Sequence, residues 1–141
     1  MKEHVHFFSQ KDVIKKGVEL ETLGQRGRQA NEFAELGFPI LPGFIIDSVV
    51  ASHLAKENVL DAIRAPIKKA DAVVEKSYGN PNEPLLIKIV ISPNLAISNY
   101  PALHNFGLAR KTVGGFTRFV GENFAAHEVA FLARGMLKIE E

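Results

Sequence analysis

Eight residues near the middle of the chain, Leu85 to Ser92 in the order LLIKIVIS, limit its fold more than any other stretch. They are apolar at nearly every position, the pattern of a strand buried on both faces in a sheet flanked by helices. Lys88 is the one break. Its long stem lets it either snorkel from a sheet edge or face a cleft where it meets an anion. Just before it, Ser77 to Pro84 (SYGNPNEP) is dense in turn formers and reads as a loop that closes a helical half.

The first half supplies those helices. His4 to Ser9 reads as a short strand, and Gln10 to Lys16 as turn or helix. Ala30, Phe33, Ala34 and Gly37 follow helical spacing from Gly27, which predicts a helix over Arg26 to Leu36 with Gly37 as its C-cap and Arg28, Asn31, Glu32 and Glu35 on its polar face. The two prolines of FPILPGFII cannot donate ladder hydrogen bonds, so Gly43 to Ile46 is an edge or broken strand. Asp47 is the natural N-cap of a helix through Val50 and Leu54. A second helical pattern, Val59 to Val74, contains Pro66, which is expected to kink it or divide it in two. Beyond the apolar strand, ALHNFGLA (Ala102 to Ala109) reads as a helical turn and Phe116 to Leu137 as one amphipathic helix or a pair. The length of 141 residues suits one domain with one core.

Charge and composition narrow the partners. Seventeen Lys+Arg against sixteen Asp+Glu give a formal net charge of +1, so no global field draws the chain to nucleic acid or a membrane and any anion site must be local. There is no cysteine, which removes disulfides, thiolate metal ligands and cysteine nucleophiles. With no leader-like or long apolar segment, a cytoplasmic protein is expected.

One local anion site stands out. Gly24, Arg26, Gly27 and Arg28 place a basic, glycine-flanked turn at the mouth of a helix, where backbone N–H groups and a guanidinium hold phosphate. The plainer reading is an ordinary helix start with solvated arginines. His4 and His6 face one side of their strand, His53, His104 and His127 are scattered, and none has zinc spacing, so they read as surface or half-buried histidines. Glu122, Glu128, Glu140 and Glu141 are the C-terminal carboxylates, without a metal motif around them. Gly114 and Gly115 fit an anion nest or a turn before the last helix. Phe116, Phe119, Phe124 and Phe131 are spaced like a core stripe, which becomes a partner surface if left uncovered.

Four segments in order, LGQRGRQANEF, LGFPILPGF, YGNPNEPLLIKIVIS and ALHNFGLA, resemble the N-terminal nucleotide-binding region of the pyruvate phosphate dikinase and phosphoenolpyruvate synthase family. The corresponding family patterns are L-G-G-K-G-A-N-L-A-E-M, L-G-[LI]-P-V-P-P-G-F, F-G-D-P-x-N-P-L-L-V-S-V-R-S and T-V-L-N-L-G-L. The resemblance implies an α+β fold, the first subdomain of an ATP-grasp-type domain with a small mixed sheet flanked by helices, and ATP with magnesium as cofactor. It puts the family's phosphate-binding lysine on Arg26, one flanking glycine on Gly27 and the other on Gln25. The arginine that leaves the family's buried strand falls on Val90, and its S-G-A run on Ile91, Ser92 and Pro93. A valine cannot neutralise phosphoryl charge, so a degenerate kinase-like site is expected, with phosphate or nucleotide held weakly by Arg26, Gly24, Gly27, Arg28 and Lys88 and no complete phosphotransfer. The chain is expected to stop short of the half of the fold that supplies the magnesium carboxylates. The other expectation is a non-catalytic module that dimerises or docks on a protein through the surface left bare. Convergence of Arg26, Lys88 and Arg110 on one concavity is the observation that would favour the first.

Overall fold

Alternation along β1 (Val5–Phe8) sends Val5 and Phe7 to one side and His6 to the other. The strand pairs antiparallel with β2 (Gly43–Ile46), Val5 opposite Ile46 and His6 opposite Ile45. A computed structural model describes residues 4–14, 17–51, 56–95 and 102–140. By contact they fall into two compact units, Met1–Val74 with Ser92–Ala96, and Glu75–Ile91 with Ile97–Glu141.

In the first unit the two-stranded ribbon lies between two helices. α1 (Gly24–Glu35) packs on the His6 face, where Gly27 meets Ile45. α3 (Lys56–Val74) packs on the opposite face, with Ala62, Ala65 and Pro66 around Val5 and Phe7. Lys69 of α3 lies 4.4 Å from the centre of the Phe7 ring and pairs with Asp12 at 3.1 Å. Pro66 does not divide α3, whose residues run through it as one helix. Pro66 faces the ribbon across a cavity that it lines with Val5 and Phe7. α1 ends as its sequence predicts. Gly37, at φ 75°, donates to the Ala34 carbonyl, and Phe38 N–H reaches back to Phe33, whose ring it meets edge-on at 5.7 Å. Asn31 corrects the expected polar face of α1. It is buried, because its side chain accepts the Ile14 N–H at 2.8 Å and donates to Glu35. The helix after Asp47, α2, is short (Ser48–Ala51), and Leu54 lies outside the described residues.

The second unit is built on β3 (Ile87–Val90) and β4 (Ala102–Phe106), again an antiparallel pair, with α5 (Glu122–Glu140) packed on β4. Leu103, Leu108 and Leu132 form its core, with Leu86, Phe106 and Phe116 against them. The helical turn expected at ALHNFGLA is instead β4. Leu103 pairs with Ile89, and Asn105 at φ 59° and Gly107 at φ 117° take conformations that no α-helix continues through. The C-terminal stretch is a pair of helices, α4 (Val113–Val120) and α5, separated at Gly121. The chain is therefore α+β, but its described strands form two antiparallel ribbons in place of one mixed sheet. β3 is correspondingly not buried on both faces, since one ribbon partner and one helix cannot cover it. Among the described residues no helix is long and apolar enough to cross a membrane.

Gly114 and Gly115 lie inside α4, not in a nest or a preceding turn. A Cβ at Gly115 would fall on the backbone carbonyls of Pro81 and Asn82, whereas at Gly114 its nearest neighbour is the tip of Arg118 at 4.0 Å. The two adjacent substitutions should therefore have opposite signs in urea unfolding. Gly115→Ala is expected to lose about 2 kcal/mol by overpacking, and Gly114→Ala to gain up to about 1 kcal/mol from helix propensity.

Candidate functional site

The basic turn of the sequence does sit at the mouth of α1, entered through a 3-10 turn (Leu20–Leu23) whose last residue, Leu23, is fully buried. Gly24 opens the helix at φ 68° and ψ 174°, a conformation open in practice to glycine alone. The first four N–H groups of any helix need partners from outside it. Here the chain supplies three of them. Gly24 N–H donates to the Glu21 carbonyl, Gln25 N–H to the Pro93 carbonyl at 3.0 Å and Gly27 N–H to the Ser92 hydroxyl at 3.0 Å. The Ser92 hydroxyl donates in turn to the Leu23 carbonyl at 3.0 Å, and the Asn94 amide to the Glu21 carbonyl at 2.8 Å. Residues 92–94 thus latch across the helix mouth and engage donors that a bound anion would use.

What remains for a ligand is side-chain charge. Arg26 is exposed and Arg28 half-buried, and among the described residues neither guanidinium makes an ion pair or hydrogen bond. α1 brings Gly24, Arg26, Gly27 and Arg28 together. Lys88 and Arg110 belong to the second unit, Lys88 exposed on β3 and Arg110 exposed ahead of α4. Val90, where the resemblance implied an arginine, is also on β3 and exposed.

A polar centre that sequence spacing hinted at only through His4 and His6 lies at the end of β2. The Asp47 side chain is 5% exposed, and one of its oxygens, Oδ2, accepts from His4 Nδ1 at 2.9 Å and His6 Nε2 at 3.1 Å. Oδ1 accepts the N–H groups of Val49 at 3.1 Å and Val50 at 3.3 Å, the N-cap role expected of it. Burial alone would raise its pKa. The bonds from His6, His4 and Val50 outweigh that and hold the carboxyl below its ordinary value.

In the second unit, Glu128 is engaged on both oxygens, by His127 Nδ1 at 3.0 Å and by the Asn105 amide. Those two hydrogen bonds, His127 first, keep it below the usual carboxylate range. His104 and His127 flank the Phe131 ring at 5.2 and 6.4 Å. Glu122 is exposed; His53 and Glu141 lie outside the described residues. Among the described residues no three His, Cys, Asp or Glu side chains are placed to hold a metal ion.

No family model matches the chain. Over 135 residues, 96% of its length, it is 46% identical to a protein of Treponema pallidum (strain Nichols) named pyruvate, phosphate dikinase. The chain spans 15% of that relative's length. The sequence is therefore that of a domain related to one segment of a pyruvate, phosphate dikinase.

Proposed function

We propose that this dikinase-related domain holds a phosphate-bearing ligand, ATP foremost, weakly at the start of α1 and does not itself transfer the phosphoryl group. The observation that supports this is the pair Arg26 and Arg28, two uncommitted guanidinium groups on the first turns of a helix, where the helix dipole favours anions. Affinity is low in this reading because the latch of Ser92 and Pro93 already engages two backbone donors. Transfer is absent in this reading because Val90 contributes no charge where the related sequences place an arginine.

Calorimetric titration with ATP and with inorganic phosphate, each with and without magnesium, tests it. The wild-type protein should show weak saturable binding that falls at least about tenfold in Arg26→Ala, the effect of losing one charge-assisted contact. Ser92→Ala frees the Gly27 N–H and should tighten binding. No heat with the wild-type protein at millimolar ATP overturns the reading. A second reading, a non-catalytic interaction module, is favoured by the apolar side chains of α4 and α5, where Phe119 is 78% exposed and Phe124, Leu137 and Ile139 are exposed as well.

A further inference from the structure

Two imidazoles meet one buried carboxylate oxygen at the end of β2, and that geometry fixes where their protons are. Asp47 Oδ2 lies 2.9 Å from His4 Nδ1 and 3.1 Å from His6 Nε2. The carboxyl is held below its ordinary value, so near neutral pH it is ionised and can only accept. Its other oxygen takes the Val49 and Val50 N–H groups, which pin the side chain in place. The two facing ring nitrogens must therefore both carry protons, Nδ1 in His4 and Nε2 in His6. In a neutral His4 ring this leaves Nε2 with a lone pair, and among the described residues nothing bonds to it. The His4 side chain is 35% exposed against 9% for His6 and 5% for Asp47, so its accessible edge is the one away from the carboxylate.

We propose that His4 is a nucleophilic modification site, which takes a small uncharged acyl group at Nε2 from an activated acyl compound while Asp47 fixes the ring and balances its charge. In that step the Nε2 lone pair forms a bond to the carbonyl carbon and the bond from that carbon to the leaving group breaks. The leaving group departs with the electron pair and takes a proton from water, and His4 becomes an acylimidazolium whose Nδ1–H stays on Asp47. The positive charge that develops on the ring faces a buried carboxylate at 2.9 Å, where attraction is stronger than at the surface. An acyl group suits the site better than a phosphoryl group. Asp47 repels an anionic reagent, and among the described residues no lysine or arginine pairs with Asp47 or His4 to offset it. His127 is the comparison within the same chain. Its Nδ1 also meets a carboxylate, Glu128 at 3.0 Å, but the two side chains are 65% and 18% exposed, so solvent screens the pair. Exposure alone ranks His127 ahead of His4, and the buried carboxylate reverses that order. The inference does not depend on phosphate binding at α1.

Diethyl pyrocarbonate, an activated acyl compound that modifies imidazoles, tests this on the full chain near neutral pH, with peptide mass mapping to rank the histidines. His4 should react at least about tenfold faster than His127, the effect of one charge-assisted hydrogen bond, and His6 should stay unmodified while the chain is folded. Asp47→Asn separates positioning from folding. Asparagine keeps the N-cap through its carbonyl, so its amide NH2 stands in the place of Oδ2 and donates to His4 Nδ1. The ring proton then moves to Nε2 and the lone pair is lost from the accessible edge. In this variant His4 should lose its advantage over His127, and nitrogen NMR should show the proton of His4 transferred from Nδ1 to Nε2, a change that a merely structural role of Asp47 does not produce. If Asp47→Asn does not fold, the order of His4 and His127 in the wild-type chain decides. His4 reacting no faster than His127, His6 reacting ahead of His4, or a folded Asp47→Asn variant whose His4 keeps its Nδ1 proton and its reactivity would each overturn the proposal.

Discussion

Gly24→Ala is expected to destabilise the first unit by about 4 kcal/mol, roughly half from backbone strain and half from overpacking. At φ 68° and ψ 174° an alanine sits where L residues are rarely found. Its Cβ would also be placed inside the Ser92 carbonyl, with the Ser92 hydroxyl 2.7 Å away. Relief by moving Ser92 breaks the Gly27 to Ser92 and Ser92 to Leu23 hydrogen bonds, so neither partner can give cheaply. Gly37→Ala is the control. It has a similar φ of 75° but open space around its Cβ, and should cost only about 1 kcal/mol. Urea unfolding measures both, and hydrogen exchange at Gln25 and Gly27 locates the loss, since their N–H groups are the ones held by Pro93 and Ser92. Gly24→Ala with the stability of Gly37→Ala would mean that the latch does not close on the helix.

This bears on how glycine-basic motifs are read. In the sequence, Gly24 and Gly27 look like space left for a phosphate. In the structure, Gly24 makes room for the Ser92 carbonyl and Gly27 for Ile45. The helix, its Gly37 cap and the Asp47 N-cap were legible because each depends on residues within a few positions of one another. The latch was not. Gly27 and Ser92 are 65 positions apart, and no periodicity connects them. The same limit explains Asn31, whose place on the helix wheel looked polar until Ile14 supplied a buried partner, and ALHNFGLA, where pairing with β3 overrode local preference. LLIKIVIS holds a strand only over Ile87–Val90, because the Leu85 N–H turns to the Ser77 carbonyl and Ser92 bonds to α1. Its expected cover was also in error, because apolar character says that a face is built to be buried and not what buries it.

Asp47→Ala is expected to cost about 3 kcal/mol, the sum of a lost N-cap and of charge-assisted hydrogen bonds at a buried carboxylate. Four donors converge on that side chain, and removing it leaves His6, whose side chain is only 9% exposed, facing a void. Asp47→Asn separates the two contributions, because asparagine caps a helix about as well as aspartate but carries no charge. It should therefore fall between the wild-type protein and Asp47→Ala. The Asn variant also has a pH signature. A carboxyl held below its unfolded value stabilises the fold fully above that value, and the contribution disappears as pH falls through the folded pKa. The stability gap between wild type and Asp47→Asn should thus be full and flat above about pH 5 and close steadily below about pH 4. Urea midpoints across that range decide it. A gap that stays constant to the acid limit would mean that the Asp47 charge does not bind the histidines, and that the ribbon is held by its N-cap and by the packing of α1 and α3 alone.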